Sequence, residues 1–229
     1  MRPATFPTAP FQALNVPRGY LRPMNIAIIG SGHIGAGLAR AWAKKRHSLV
    51  FGARTIDDPE LLALCKETHA RATTIAAAPT DAEVVVLAMP YGALNEVLEA
   101  TGDLAGKVVI DCTNAVERGM TLKYGHTTSS AEELQKRLPK AHVFKSFNAQ
   151  GAENLAKPVY DGLPASNFFC GDDENGRRLV KTLVEDVGFD AVDAGPLKNA
   201  RLLEPLMLLW VASAQALGTR DFAFRLLRR

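Results

Sequence analysis

The chain has 229 residues, with 27 Lys and Arg against 24 Asp and Glu, and 47% of its residues are hydrophobic. That length allows one large domain with a sizeable core, and the formal net charge of +3, without any basic run interleaved with aromatics, gives no case for nucleic acid. Three cysteines (Cys65, Cys112, Cys170) lie far apart, with no C-x-x-C and no His pair at ligand spacing, so the expectation is reduced thiols, no structural metal and a cytoplasmic protein.

Residues 1–23 carry Pro3, Pro7, Pro10, Pro17 and Pro23 and no apolar run of signal-peptide length, which predicts a flexible N-terminal extension ahead of Met24. Asn25–Ile29 reads as a buried strand. Gly30, Gly32 and Gly35 follow in G-x-G-x-x-G spacing, and Leu38, Ala39, Ala41 and Trp42 then recur at helical spacing to about His47. Strand, glycine turn and helix together give the glycine pattern its context as a dinucleotide-binding turn. Gly30 makes the turn, Gly32 lets a pyrophosphate approach the backbone, and Gly35 lets helix and strand pack closely.

Ser48–Gly52 is the second strand. Asp57-Asp58-Pro59 has helix-start chemistry, and Leu61, Leu62, Leu64 and Cys65 supply the next apolar face. Strands are expected over Ala72–Ala76, Glu83–Met89 and Lys107–Cys112, with a helix marked by Leu94, Val97 and Leu98 between the last two. Residues 117–130 read as a long loop, Ala131–Leu138 as helix, His142–Phe147 and Asn167–Cys170 as strands, Glu174–Val187 as helix and Phe189–Val192 as a short strand. Leu197–Gly218 is a long apolar helix interrupted by Pro205. It is too short in its apolar run for a membrane span, which leaves a core or homodimer-interface helix. The alternation of strand and helix predicts an α/β fold, a doubly wound, mostly parallel Rossmann-type sheet with a small C-terminal helical part. The expected division is an NADP-binding domain over 24–150 and a C-terminal part over 151–229 that completes an acceptor pocket.

An acid about 20 residues past the glycine turn marks NAD preference. The corresponding strand end here reads Gly52-Ala53-Arg54-Thr55, with no acid. A guanidinium there suits a 2′-phosphate, and Thr55 adds a hydroxyl, so NADP is favoured over NAD. Other strand ends carry Met89-Pro90-Tyr91, Thr113-Asn114-Ala115 and Phe147-Asn148-Ala149. These groups are apolar or amide, so no catalytic residue is assigned. His33 and His126 are lone histidines, and Lys145 and Lys157 carry no pattern that marks a role. A site with cofactor features and little acid–base chemistry suits transfer between two redox carriers.

The segments IAIIGSGHIGAGLA, the GAR turn, SFNAQGAENLAKP (146–158), FFCGDDENGRR (168–178) and DAGPLKNARLLEPLMLLW (193–210) resemble the NADPH-dependent coenzyme F420 reductase family and its bacterial relatives that are predicted to bind a dinucleotide. The resemblance implies hydride exchange between NADPH and a deazaflavin. By motif match it places Ser31, Gly32, His33 and Ile34 at the pyrophosphate, Ala53 and Arg54 at the 2′-phosphate, and Tyr91, Asn95, Val116 and Ala152 near the nicotinamide half. Relatives often carry Ser at the place of Ala53 and can carry Lys at that of Asp58, and archaeal reductases have His at that of Asn148. The expectation is therefore an NADP(H)-dependent oxidoreductase with a small-molecule redox acceptor, coenzyme F420 or a flavin being the candidates. The alternative is a non-catalytic NADPH-binding module that senses redox state or serves a partner.

Overall fold

The computed structural model describes residues 23–229. The extension expected over 1–23 thus falls, but for Pro23, outside the described residues. In chain order the elements are β1 (Asn25–Ile29), α1 (His33–Ala43), β2 (Ser48–Ala53), α2 (Pro59–Thr68), β3 (Arg71–Thr74), β4 (Val84–Leu87), a 3-10 turn (Tyr91–Ala93), α3 (Leu94–Thr101) and β5 (Val108–Asp111). There follow a hairpin of β6 (Val116–Glu117) and β7 (Thr121–Leu122), then α4 (Ser130–Arg137), β8 (His142–Ser146) and α5 (Ala152–Ala156). A second hairpin, β9 (Val159–Tyr160) and β10 (Leu163–Pro164), precedes β11 (Ser166–Gly171), α6 (Glu174–Val187), β12 (Asp190–Asp193), a 3-10 turn (Leu197–Asn199) and α7 (Ala200–Leu217).

One eight-stranded sheet runs β3-β2-β1-β4-β5-β8-β11-β12. Its first six strands follow the order of the doubly wound dinucleotide fold and pair in parallel. β11 then joins β8 antiparallel and carries β12 in parallel. Val84, Val85, Val86 and Leu87 are wholly buried, as a parallel strand covered on both faces requires. Alternation splits the core in two. Ile26, Ile28, Val84 and Val86 pack on the side of α1, α2 and α6, and Ala27, Ile29, Val85 and Leu87 on the side of α3, α4 and the start of α7. On the first side, the buried Trp42 indole N–H donates to the Leu183 carbonyl at 2.9 Å, tying α1 to α6.

Side chains start three of the helices. Asp58, Ser129 and Asp173 accept from the backbone N–H groups of Leu61, Glu132 and Gly176. Gly188 and Gly218 end α6 and α7 in the left-handed conformation. Beyond α7 the chain folds back: the Phe224 carbonyl accepts from the Ser166 N–H at 2.9 Å, and Phe222 stacks on Trp210 with ring centroids 5.2 Å apart.

Several expectations change. α7 is continuous through Pro205, which lies in its second turn and so gives up a single backbone bond. The buried Leu203, Glu204, Met207 and Trp210 hold the helix on both sides of that residue. The loop expected over 117–130 holds the β6–β7 hairpin. β8 ends at Ser146, because Phe147 takes a φ of 58° and turns the chain. β3 begins at Arg71 and closes at Thr74, earlier than expected. Helix α5 had no clear sequence mark, being only five residues long. Among the described residues, no helix is long and apolar enough to cross a membrane, and no group of three or more His, Cys, Asp or Glu is placed to hold a metal ion.

Candidate functional site

The sheet reverses its winding between β1 and β4, and the crevice at their carboxyl ends is where open α/β sheets take ligands. Gly30 closes β1 with a φ of +109°, and a Cβ there would lie 2.7 Å from the Ala88 carbonyl oxygen. A Cβ at Gly35 would lie 2.0 Å from the Gly30 carbonyl oxygen, so helix and turn approach too closely for any other residue. A Cβ at Gly32 would meet nothing within 4 Å. α1 starts at this open spot with no side-chain cap and no acidic residue in its first turn. Its unpaired N–H groups and positive dipole end are therefore left for an anion. These features fit a pyrophosphate.

A cleft of about 350 Å³ opens here, lined by Gly30, Ser31 and Gly32, by Ala53, Arg54 and Thr55, and by Met89 and Pro90. The structure thus brings Ser31 and Gly32, two of the four residues expected at the pyrophosphate, into one cavity with Ala53, Arg54 and Thr55, expected at the 2′-phosphate. Arg54 and Thr55 are exposed at the tip following β2. No carboxylate among the described residues lies within ion-pair distance of Arg54. Asp58 lines the same cleft, but its Oδ1 accepts the Leu61 N–H at 2.9 Å, so its carboxylate is anchored on α2. Gly35 is buried, and Ile34 packs against the core behind the turn. His33 is exposed in a neighbouring groove, where Ala152 of α5 joins it.

The remaining expected residues are dispersed. Tyr91 and Asn95 line a groove between α3 and α4, together with Tyr124. The Tyr91 and Tyr124 rings meet edge to face at 6.4 Å, with their hydroxyls 3.4 Å apart. Burial pushes the Tyr91 hydroxyl pKa well up, and the bond to Tyr124 and the negative charge of Asp111 add to it. Val116 is exposed on β6. His126 is exposed on the loop after β7.

Thr113, Asn114 and Asn148 are structural ties. The Thr113 N–H and hydroxyl both donate to Asp111 Oδ1, at 2.9 and 2.7 Å. Asn114 Nδ2 donates to the Asn148 carbonyl at 2.9 Å, and Asn148 Nδ2 donates to Asn114 Oδ1 at 3.0 Å and to the Leu203 carbonyl at 2.9 Å. These bonds fasten the ends of β5 and β8 to each other and to α7.

Beneath them lies a charge cluster that the sequence reading passed over. Lys145 is wholly buried, its Nζ 2.8 Å from Asp111 Oδ2 and 3.0 Å from Glu204 Oε1, and it also donates to the Thr113 carbonyl at 2.7 Å. Glu204 in turn accepts from the Ser130 N–H at 3.0 Å and the Ser130 hydroxyl at 2.6 Å, at the positive end of α4. A usable signal was present: Asp111 and Lys145 are opposite charges near the ends of two apolar strands that neighbour each other. Tyr124 carried no signal, since only the folding back of the hairpin brings it to Tyr91. All three cysteines are buried, and burial pushes the Cys170 thiol up to about 12.

Residues 25–115 match the family model described as NADP oxidoreductase coenzyme F420-dependent. The 1.70 Å crystal structure of a protein named provisionally as an F420-dependent NADP-reductase from Arthrobacter sp. FB24 superposes with a TM-score of 0.81 and 30% identity, covering 90% of this chain and 100% of that one. The F420-dependent NADP reductase of Methanothermobacter marburgensis is 29% identical, with 82% of this chain and 91% of that protein aligned. Metalloreductase STEAP3 of Rattus norvegicus is 30% identical over 84% of this chain, but the chain spans only 39% of that protein's length. With this crevice, this strand order and these matches, the chain belongs to the F420-dependent NADP oxidoreductase family.

Proposed function

We propose that the protein is an NADP(H)-dependent oxidoreductase that passes a hydride between NADPH and a second small-molecule carrier, with coenzyme F420 or a flavin as the candidate acceptor. The observation that carries this reading is the pairing, in one cleft, of an uncapped α1 N-terminus with Arg54 at a strand tip that has no acid. The first favours the pyrophosphate, and the second favours a 2′-phosphate over a ribose 2′-hydroxyl. Ser31, Gly32, His33 and Ile34 would hold the pyrophosphate, and Ala53, Arg54 and Thr55 the phosphorylated ribose. When bound, NADPH supplies a hydride with its electron pair, and the acceptor takes that hydride together with a proton from water. The protein's part is to bind and orient the two carriers.

In this reading residues 24–150 form the NADP-binding part and 151–229 complete the acceptor side. The protein works in the cytoplasm as a homodimer. Support for the dimer comes from α7, where the exposed Leu202, Leu209 and Leu217 lie on one stripe at helical spacing. NADPH oxidation by the full chain against F420, FMN, FAD, ferric chelates and quinones in parallel tests the enzyme reading. Turnover of one of these carriers supports it. NADPH binding without turnover of any of them favours a non-catalytic NADPH-binding module, a reading consistent with the amide-rich strand ends, where Asn114 and Asn148 bond to each other.

A further inference from the structure

The chain beyond α7 returns to α5 and fastens there through a charge. Arg220 bridges Glu153: its Nε donates to Oε1 at 2.7 Å and its Nη2 to Oε2 at 3.3 Å. The same guanidinium lies 4.8 Å from the centroid of the Trp210 ring, on which Phe222 also stacks. Next to Glu153, Asn154 Nδ2 donates to the Phe222 carbonyl at 3.1 Å. A cation held by a ring and a carboxylate together, on a segment that is itself bonded down, has little freedom left to lose in pairing.

Glu153 lies in the first turn of α5, and α5 packs directly on α1: a Cβ at Gly37 would lie 2.8 Å from Leu155 Cδ1. A groove of about 800 Å³ beside these helices is lined by Ser31, Gly32, His33, Ala152 and Glu153, among others. Ser31 and Gly32 also line the glycine-turn cleft, and His33 is the first residue of α1. Glu153 therefore shares a groove with the uncapped helix end. The bond from Arg220 holds its carboxyl below the usual carboxylate range, and His33 adds to this. A bare carboxylate in that groove repels an anion seated on the start of α1, and a carboxylate paired with a guanidinium does not.

We propose that Arg220 is a determinant of coenzyme affinity, acting from the C-terminal tail by neutralising Glu153 beside the start of α1. The assignment rests on the reading of that helix end as the seat of the coenzyme's pyrophosphate. It does not rest on the choice between NADP and NAD, because both coenzymes carry the pyrophosphate and only one carries the 2′-phosphate at Arg54. Arg220 thus sets the affinity for both, and Arg54 sets the ratio between them. Linkage makes the effect reciprocal: a bound coenzyme strengthens the hold of Arg220 on Glu153 and so the docking of the tail.

NADPH and NADH are each titrated calorimetrically into the full chain and its variants. Arg220→Met should weaken both coenzymes by the same factor, about threefold, the scale of an exposed charge interaction. Arg220→Lys should keep most of the affinity. Glu153→Gln should bind both coenzymes at least as tightly as wild type, and adding it to Arg220→Met should restore wild-type affinity. The deficit of Arg220→Met should shrink at high salt. If Glu153→Gln weakens binding as Arg220→Met does, the bridge acts only by packing the tail, and the assignment is overturned. Loss of NADPH affinity alone also overturns it, since the charge would then act at the 2′-phosphate. If wild type binds the two coenzymes equally while Arg220→Met weakens both, the NADP reading falls and the role of Arg220 stands. If wild type prefers NADPH and Arg220→Met leaves both affinities unchanged, the reverse holds.

Discussion

Lys145 and Asp111 face each other across neighbouring strands with Nζ and Oδ2 2.8 Å apart, and both are shut off from solvent. Glu204, 3.0 Å from the same ammonium, brings α7 into the pair. Lys145→Met would leave two buried carboxylates without their cation, and breaking a buried pair in that way costs about 3–5 kcal/mol. Urea unfolding should show a loss of that size. A loss under about 1 kcal/mol would mean that the cluster does not hold α7 to the sheet.

The same group gives a pH dependence. Burial pulls the Lys145 ammonium pKa down, but the Asp111 and Glu204 carboxylates outweigh it and hold it above the ordinary lysine value. A folded-state pKa above the unfolded one, about 10.4, gives stability that is complete below that pH and lost as pH rises through the folded value. Wild type and Lys145→Met should therefore differ fully at neutral pH and converge at strongly alkaline pH. Urea midpoints of the two proteins, measured side by side across that range, check this. A gap that stays constant would contradict it.

Gly35→Ala tests the turn itself. The added methyl would lie 2.0 Å from the Gly30 carbonyl oxygen, where backbone must shift to make room. Overpacking of this kind costs about 1–3 kcal/mol or more, and here it displaces the anion-binding end of α1. The variant should unfold at lower urea and bind NADPH at least tenfold more weakly. Unchanged NADPH affinity would show that the start of α1 is not where the coenzyme's phosphates sit.

Leu209→Glu tests the α7 face. Leu209 is 54% exposed, and Leu202 and Leu217 on the same stripe are 68% and 62% exposed. A charge in the middle of an apolar interface is unpaired on burial. Light scattering should report a dimer for wild type and a monomer for the variant. A monomeric wild type at micromolar concentration would remove the interface.

Much of the architecture was legible because period and punctuation agreed. The run Glu83–Met89 predicted a buried parallel strand, and that strand and the glycine turn after Ile29 flank the point where the sheet reverses. The residues expected at the phosphates could be named from the chain because they are contiguous, in the turns after β1 and β2. Contacts made only by the fold could not. The Tyr91–Tyr124 contact spans 33 positions, and the Lys145 cluster draws on four separate elements. Polar groups brought together by topology leave no spacing in the chain. Asn148 illustrates the converse: it stands at a strand end where a ligand group was expected, yet its side-chain amide is bonded to Asn114 and Leu203.

Asp58 refines the account of coenzyme choice. Its carboxylate lines the cleft of Arg54 and caps α2. Asparagine keeps the cap and removes the charge. Asp58→Asn should therefore leave stability unchanged and strengthen NADPH binding by about 0.5 kcal/mol, the scale of an exposed charge pair. Asp58→Ala should lose about 1 kcal/mol of stability with the cap. Calorimetric titration and urea unfolding separate the two effects, and weaker NADPH binding by the asparagine variant would place the 2′-phosphate elsewhere.

The most direct measurement is the ratio of NADPH to NADH affinity in wild type and in Arg54→Ala. Arg54 is exposed at the cleft with no carboxylate partner among the described residues, and a charge-assisted bond to a 2′-phosphate is worth about 1.5–3 kcal/mol. Calorimetric titration of wild type should give NADPH a preference of roughly tenfold to a hundredfold. Arg54→Ala should erase most of it by weakening NADPH while NADH stays as it was. Equal affinity of wild type for the two coenzymes, or a preference that survives the loss of Arg54, would contradict the assignment of this cleft to NADP.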